Sequence, residues 1–260
     1  MKIAIIGAGN MGGAIARALA QSDFAQNNSI YISNRSKAKL DILKESFPQL
    51  YTTTDNSEAA SCADIVIIAV KPWILDSVAH EIASCVKQEN CMIISVVAAI
   101  PFSHYDELFC GYHPTFRVIP NTAAVVGEGI SVIAANHATQ AQTELVQSIF
   151  NSMGITILTD EDHINAYMVL CSSGTALAMR YLRAAMEAGI AMGIPAAEAS
   201  RLAAYTMRGT AQLIISHREH PEAEIDRVTT PGGLTIKGLI AMEEAGFSNA
   251  VIKGHLACLK

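Results

Sequence analysis

The chain predicts an α/β fold: a doubly wound sheet over residues 1–160, followed by an all-helical domain over residues 161–260. Three observations carry this expectation. Short β-branched runs alternate with helical patterns through the first half. A Gly-x-Gly-x-x-Gly spacing stands between the first strand and the first helix. Beyond about Asp160 the composition shifts to Ala, Met, Leu, Arg and Glu.

In chain order, Lys2–Ile6 reads as a buried strand and Met11–Ala20 as a helix. Ile30–Ser33 is the second strand, and a helix follows over about Lys37–Phe47. Asp64–Val70 (DIVIIAV) and Met92–Val97 (MIISVV) are unbroken apolar runs, the mark of strands covered on both faces. Pro72 starts a helix between them, and Arg117–Ile119 and Ile130–Ala134 are two further strands. Residues 161–192 form one or two helices with a break at Ser172-Ser173-Gly174, and another helix runs from Ile194-Pro195 to about Ser216. Two short helices open at Gly232 and Ser248. The segment ALAMRYLRAAMEAGIAMGI is so apolar that it is expected to be buried against a second copy of the chain rather than within one monomer.

Composition excludes several classes. A net charge of −6 leaves no basic footprint for nucleic acid. No apolar run is long enough to span a membrane. The start MKIAIIGAG goes straight into a strand and is not expected to be a signal peptide, so a cytoplasmic location is expected. Cys62, Cys85, Cys91, Cys110, Cys171 and Cys258 are scattered without a CxxC spacing and read as reduced thiols. His217 and His220 (HREH), Asp160 to Asp162 and Glu222 to Asp226 read as charged helix ends, so no metal is expected.

Gly7, Gly9 and Gly12, with Asn10 and Met11 between the last two, form the fingerprint of a Rossmann-type dinucleotide site. The first glycine permits a tight turn, the second admits the pyrophosphate, and the third lets strand and helix pack closely. At the tip of the second strand stand Asn34, Arg35, Ser36 and Lys37, where an NAD enzyme usually carries an acid. Arg35 can pair with a 2′-phosphate and Ser36 can donate to it, so NADPH is expected, with NADH use also open. Ala69, Val70 and Lys71 end the next strand and line the same crevice; Lys71 reads equally as a contact or as a plain helix-start lysine.

Near the C-terminus, VTTPGGLTIKG (Val228–Gly238) sets Thr229, Thr230 and Thr235 around Pro231-Gly232-Gly233. Read as a helix start, with Pro231 in its first turn, it offers free N–H groups to a small carboxylate. A plain capped helix is the alternative.

Four segments resemble the pyrroline-5-carboxylate reductases: GAGNMGGAI (Gly7–Ile15), AVKP (Ala69–Pro72), RVIPNTAAVVGEG (Arg117–Gly129) and VTTPGGLTIKGL (Val228–Leu239). The resemblance spans nearly the whole chain. It departs where the family usually has PNTP and SGSGPAY, which here become Ala123 and the Thr175 and Leu177 of SSGTAL. It implies NAD(P)H-dependent reduction of the cyclic imine 1-pyrroline-5-carboxylate to L-proline by an oligomer at least dimeric, joined through the helical domain. It further implies Thr235 as the residue that hydrogen-bonds the imine nitrogen. Val228, Thr230, Gly232 and Gly233 become substrate contacts, and Pro120 and Asn121 the floor beside the nicotinamide. The alternatives are a reductase of a related imine, a different two-domain reductase such as a β-hydroxyacid dehydrogenase, or a non-catalytic NADP-binding regulator. The dehydrogenase is disfavoured because residues 161–178 contain no Lys.

Overall fold

The computed structural model describes residues 1–86, 91–109 and 113–259. It forms two compact units, Met1–Ser172 and Ser173–Lys260.

The first unit contains β1 (Lys2–Ile6), α1 (Asn10–Gln21), β2 (Ser29–Ser33), α2 (Lys37–Ser46), β3 (Tyr51–Thr53), α3 (Asn56–Ala60) and β4 (Ile65–Ile68). It continues with α4 (Leu75–Ala83), β5 (Met92–Ser95), α5 (Phe102–Leu108), β6 (Thr115–Ile119), β7 (Gly129–Asn136), α6 (Gln140–Asn151), β8 (Gly154–Leu158) and α7 (Ile164–Met168). The strands make one eight-stranded sheet in the order β3-β2-β1-β4-β5-β6-β7-β8. Strands β1 to β6 are mutually parallel, and the sheet is doubly wound. Strand β7 runs antiparallel to β6, and β8 returns parallel to β7. The reversal follows from the connection: only the 3-10 segment Thr122–Val126 lies between β6 and β7, whereas a parallel return needs a long crossover.

The sheet explains the unbroken apolar runs. Ile3, Ile5, Ile65, Ile67 and Ile94 face one core with Leu19 and Leu40. Their alternates Ala4, Ile6, Val66, Ile68 and Ile93 face the other with Leu75, Ile82 and Tyr105. Both faces are covered, so neither parity of residue can be polar.

The sequence sets the domain boundary after residue 160, and the compact unit extends to Ser172. The reason is packing: Ile164 and Cys171 join Phe102, Ile119, Val132 and Ala134 in a third cluster on the sheet. Glu161 adds to this, because its Oε1 accepts the Phe102 N–H at 2.7 Å and pairs with Nη1 of Arg117 at 2.7 Å. The expected break at Ser172-Ser173-Gly174 corresponds to a π-helical turn over Val169–Ser173.

The second unit contains α8 (Gly174–Ala191), α9 (Ala196–His217), α10 (Pro221–Arg227), α11 (Leu234–Glu244) and α12 (Phe247–Ala257). Among its described residues only Gly189 and Ala199 are buried. These two mark the close approach of α8 and α9, since a Cβ on Gly189 would lie 3.0 Å from that of Ala199. The described cysteines, Cys62, Cys85, Cys91, Cys171 and Cys258, form no disulfide. Cys110 lies outside the described residues.

Candidate active site

The glycine loop is dictated by backbone crowding. Gly7 has φ +108°, and a Cβ there would lie 2.6 Å from the Ala69 carbonyl oxygen. A Cβ on Gly12 would lie 1.9 Å from the Gly7 carbonyl oxygen. Gly9 differs: nothing lies within 4 Å of its would-be Cβ, so the space above it is open. Gly9 is also the N-cap of α1 and supplies no side chain to the helix. The first-turn N–H groups of Asn10, Met11 and Gly12 therefore have no side-chain cap, and no acid stands among them. Open space over an uncapped helix N-terminus fits a dinucleotide pyrophosphate.

Two strand ends flank this loop. At the end of β2, Asn34 holds its neighbours: its Oδ1 accepts the Ala8 N–H at 3.2 Å and its Nδ2 donates to the Ser36 carbonyl at 3.1 Å. Its amide is thus bonded to the loop itself. Lys37 is paired with Asp41 at 2.7 Å, which offsets its charge. Arg35 is exposed and has no ion-pair partner among the described residues, so its guanidinium is available to an anion. At the end of β4, Ala69 and Val70 are half-buried, and Lys71 is exposed with its Nζ 6.0 Å from the ring centre of the exposed Trp73.

Pro120 and Asn121 are buried at the end of β6. The Asn121 side chain has partners within the fold. Its Oδ1 accepts from the N–H groups of Ala123 (3.1 Å) and Ile130 (3.4 Å), and its Nδ2 donates to the Cys171 carbonyl (3.1 Å). Asn121 bolts the β6–β7 connection to the segment after α7.

In the second unit the threonine stretch begins where α10 ends. The Val228 N–H donates to the Ile225 carbonyl at 3.1 Å, and the Thr229 N–H donates to that of Asp226 at 3.2 Å. The Thr229 hydroxyl donates to the Ile225 carbonyl. Pro231 does not sit in the first turn of a helix, as the sequence suggests. Instead Pro231 and Gly232 are the middle of a turn closed by the Gly233 N–H on the Thr230 carbonyl at 2.9 Å. Gly232 has φ +71°; proline followed by a positive-φ glycine is the type II pattern. Gly233 lies close under Thr230: a Cβ there would be 2.5 Å from the Thr230 Oγ1, so a larger residue would push that hydroxyl aside.

Helix α11 then starts at Leu234, with Gly233 as its N-cap and no side-chain cap. Thr235 is exposed in this first turn. The hydroxyls of Thr230 and Thr235 have no hydrogen-bond partner among the described residues.

No cluster of His, Cys, Asp or Glu among the described residues could hold a metal. His217 pairs with Glu224 at 2.7 Å, and His220 caps α10 by accepting the Glu222 N–H at 3.2 Å. The Glu224 pairing and the Arg117–Glu161 pair join residues whose spacing in sequence carries no signal of contact.

Known proteins resemble the chain in both halves. Residues 161–260 match the family described as pyrroline-5-carboxylate reductase dimerisation. Residues 2–108 match the family described as NADP oxidoreductase, coenzyme F420-dependent. Over 97% of its length the chain is 38% identical to pyrroline-5-carboxylate reductase 2 of Dictyostelium discoideum, covering 89% of that protein. The chain belongs to the pyrroline-5-carboxylate reductase family. It is 37% identical to reductase 1 of the same organism, of whose greater length it spans 47%. A solved pyrroline-5-carboxylate reductase from Coxiella burnetii superposes with a TM-score of 0.90 at 28% identity, covering 99% of this chain and 96% of that one. Membership makes this chain an oxidoreductase acting on a C=N bond.

Proposed function

We infer that the chain reduces the C=N bond of 1-pyrroline-5-carboxylate with NADPH to give proline. The observation that carries the residue assignment is the first turn of α11. There a free threonine hydroxyl and uncapped N–H groups lie within one helical turn, about 5.4 Å of rise, a span suited to a small ring bearing a carboxylate.

NADPH supplies the hydride, and the reduced nitrogen gains a proton, so C=N becomes CH–NH. In the first unit, Gly7, Gly9 and Gly12 shape the cradle, and the N–H groups of Asn10 and Met11 bind the pyrophosphate. Arg35 and Ser36 hold the 2′-phosphate, which favours NADPH over NADH. Asn34 keeps that loop in place, Ala69, Val70 and Lys71 line the crevice, and Pro120 forms the nicotinamide floor with Asn121 fixing it. In the second unit, Gly232, Gly233 and the Thr230 hydroxyl take the substrate carboxylate, and Val228 contacts the substrate through its backbone. Thr235 hydrogen-bonds the imine nitrogen. A threonine hydroxyl is too weak an acid to protonate it unaided at neutral pH, so Thr235 orients and relays, and the proton comes from solvent or substrate.

The chain works as a homodimer in the cytoplasm. Support comes from the exposed apolar helices of the second unit, from the match to the dimerisation family, and from the lack of any described helix long and apolar enough to cross a membrane.

The test is NADPH oxidation at 340 nm with 1-pyrroline-5-carboxylate. Thr235→Ala should lose about 10²-fold in kcat/KM, the usual scale for misplacing a reacting group, while Thr235→Ser retains most activity. Full activity in Thr235→Ala would remove Thr235 from the site. NADPH binding by the native chain without turnover would favour the regulatory reading.

A further inference from the structure

The seven-residue α10 leads directly into the threonine turn, and an isolated helix this short is not stable by itself. Its position must come from what holds it. One element is its cap on His220. The other is a charged network centred on Glu224, whose side chain is only 11% exposed. The Glu224 Oε1 accepts from Nδ1 of His217, in the last turn of α9, at 2.7 Å. The same oxygen accepts from Nη1 of Arg227, in the last turn of α10, while Nη2 of Arg227 pairs with Glu219 at 2.7 Å in the connection between the helices. The hydrogen bond from His217, with Arg227 beside it, holds the Glu224 carboxyl below the usual glutamate range.

The far end of α10 is where the turn begins. Its Ile225 and Asp226 carbonyls accept the N–H groups of Val228 and Thr229 and the hydroxyl of Thr229. Displacing α10 displaces these acceptors, and the Thr230–Gly233 turn with them.

We propose that Glu224 is a positioning residue for the reaction: by joining His217 of α9 to Arg227 at the end of α10, it fixes the start of the substrate-binding turn. This rests on the assignment of Val228–Gly233 and Thr235 to the substrate. Glu224 touches no substrate atom. Its role therefore shows in substrate affinity and leaves the chemical step and the cofactor site alone.

The experiment measures separate KM values for 1-pyrroline-5-carboxylate and NADPH, and kcat, in the full chain carrying Glu224→Gln, Glu224→Ala, Glu224→Asp or Thr235→Ala. Glu224→Ala should raise the KM for the imine about tenfold, as expected when a positioned contact is loosened, with Glu224→Gln in between. The NADPH KM and kcat should stay within about twofold, and Glu224→Asp should recover part of the affinity. A purely structural role would lower the yield of active enzyme without moving either KM. An unchanged imine KM in Glu224→Gln and Glu224→Ala, with Thr235→Ala impaired, overturns this inference alone. If Glu224→Ala does not fold, an unchanged KM in Glu224→Gln overturns it equally. Unchanged constants in all variants, Thr235→Ala included, overturn the assignment of the turn beneath it.

Discussion

In the sheet unit, every residue of β4 and β5 is buried, and Gly7, Gly12, Gly129 and Gly154 are pressed against backbone. In the helical unit, Ile215 is 67% exposed and Leu234 86% exposed, and of the described residues only Gly189 and Ala199 are sealed. Both units are rich in apolar residues, so hydrophobicity alone does not separate them. Its arrangement does. The first unit satisfies its apolar surface with its own two helix layers. The second leaves many large apolar side chains exposed, in keeping with its match to the dimerisation family.

The sharpest break of this contrast is a charge on the exposed helical surface. Ile215→Glu combined with Ile252→Glu should turn the dimer into a monomer. Each large side chain buried in a contact contributes about 1.5–3 kcal/mol, and two-fold symmetry counts every substitution twice. Sedimentation velocity reads the mass; a dimer persisting in the double variant would show that these faces are not the contact.

Within the sheet unit the two kinds of glycine should separate. Gly12→Ala forces a Cβ to within 1.9 Å of a backbone oxygen. It should cost about 3 kcal/mol, the upper end for overpacking, and lower the melting temperature by several degrees. Gly9→Ala has open space, so it should leave melting unchanged and weaken NADPH binding about tenfold through lost close approach. Trp73, the only tryptophan of the chain, reports this binding through energy transfer from indole to reduced nicotinamide. Equal melting losses in the two variants would refute the distinction.

The smallest effect concerns sealing. Burial pushes the Cys91 thiol from 9.0 up to about 12, with Asp64 adding to the rise, whereas Cys62 is exposed. A thiol kept neutral favours the native state fully below pH 9.0, and that contribution is lost as pH rises from 9.0 towards about 12. At pH 8, iodoacetamide followed by peptide mass spectrometry should modify Cys62 and spare Cys91. Comparable labelling of both would mean that the sheet unit opens readily.

The same contrast governs what could be read from the sequence. Strands β1, β4 and β5 are legible because covering both faces forces largely unbroken apolar runs. The three-residue β3 (Tyr-Thr-Thr) and the reversed direction of β7 were not, since a short edge strand has no such pattern and strand direction depends on the connection. The glycine cradle was legible because crowding between neighbours in sequence leaves a fixed spacing. The duties of Asn34 and Asn121 were hidden because their partners Ala8 and Cys171 lie far away in sequence. At Pro231 the residue types suit a helix start, but proline followed by a positive-φ glycine turns the chain first.

The strand order also leaves β8 at one edge of the sheet. It reads Gly-Ile-Thr-Ile-Leu, without charge or proline, and Ile155 and Leu158 are 58% and 46% exposed. Its outer row of N–H and C=O groups lacks the usual guards against pairing with a foreign strand. β8 is therefore a site where partially opened copies can pair, and Thr156→Lys would place a gatekeeper charge on it.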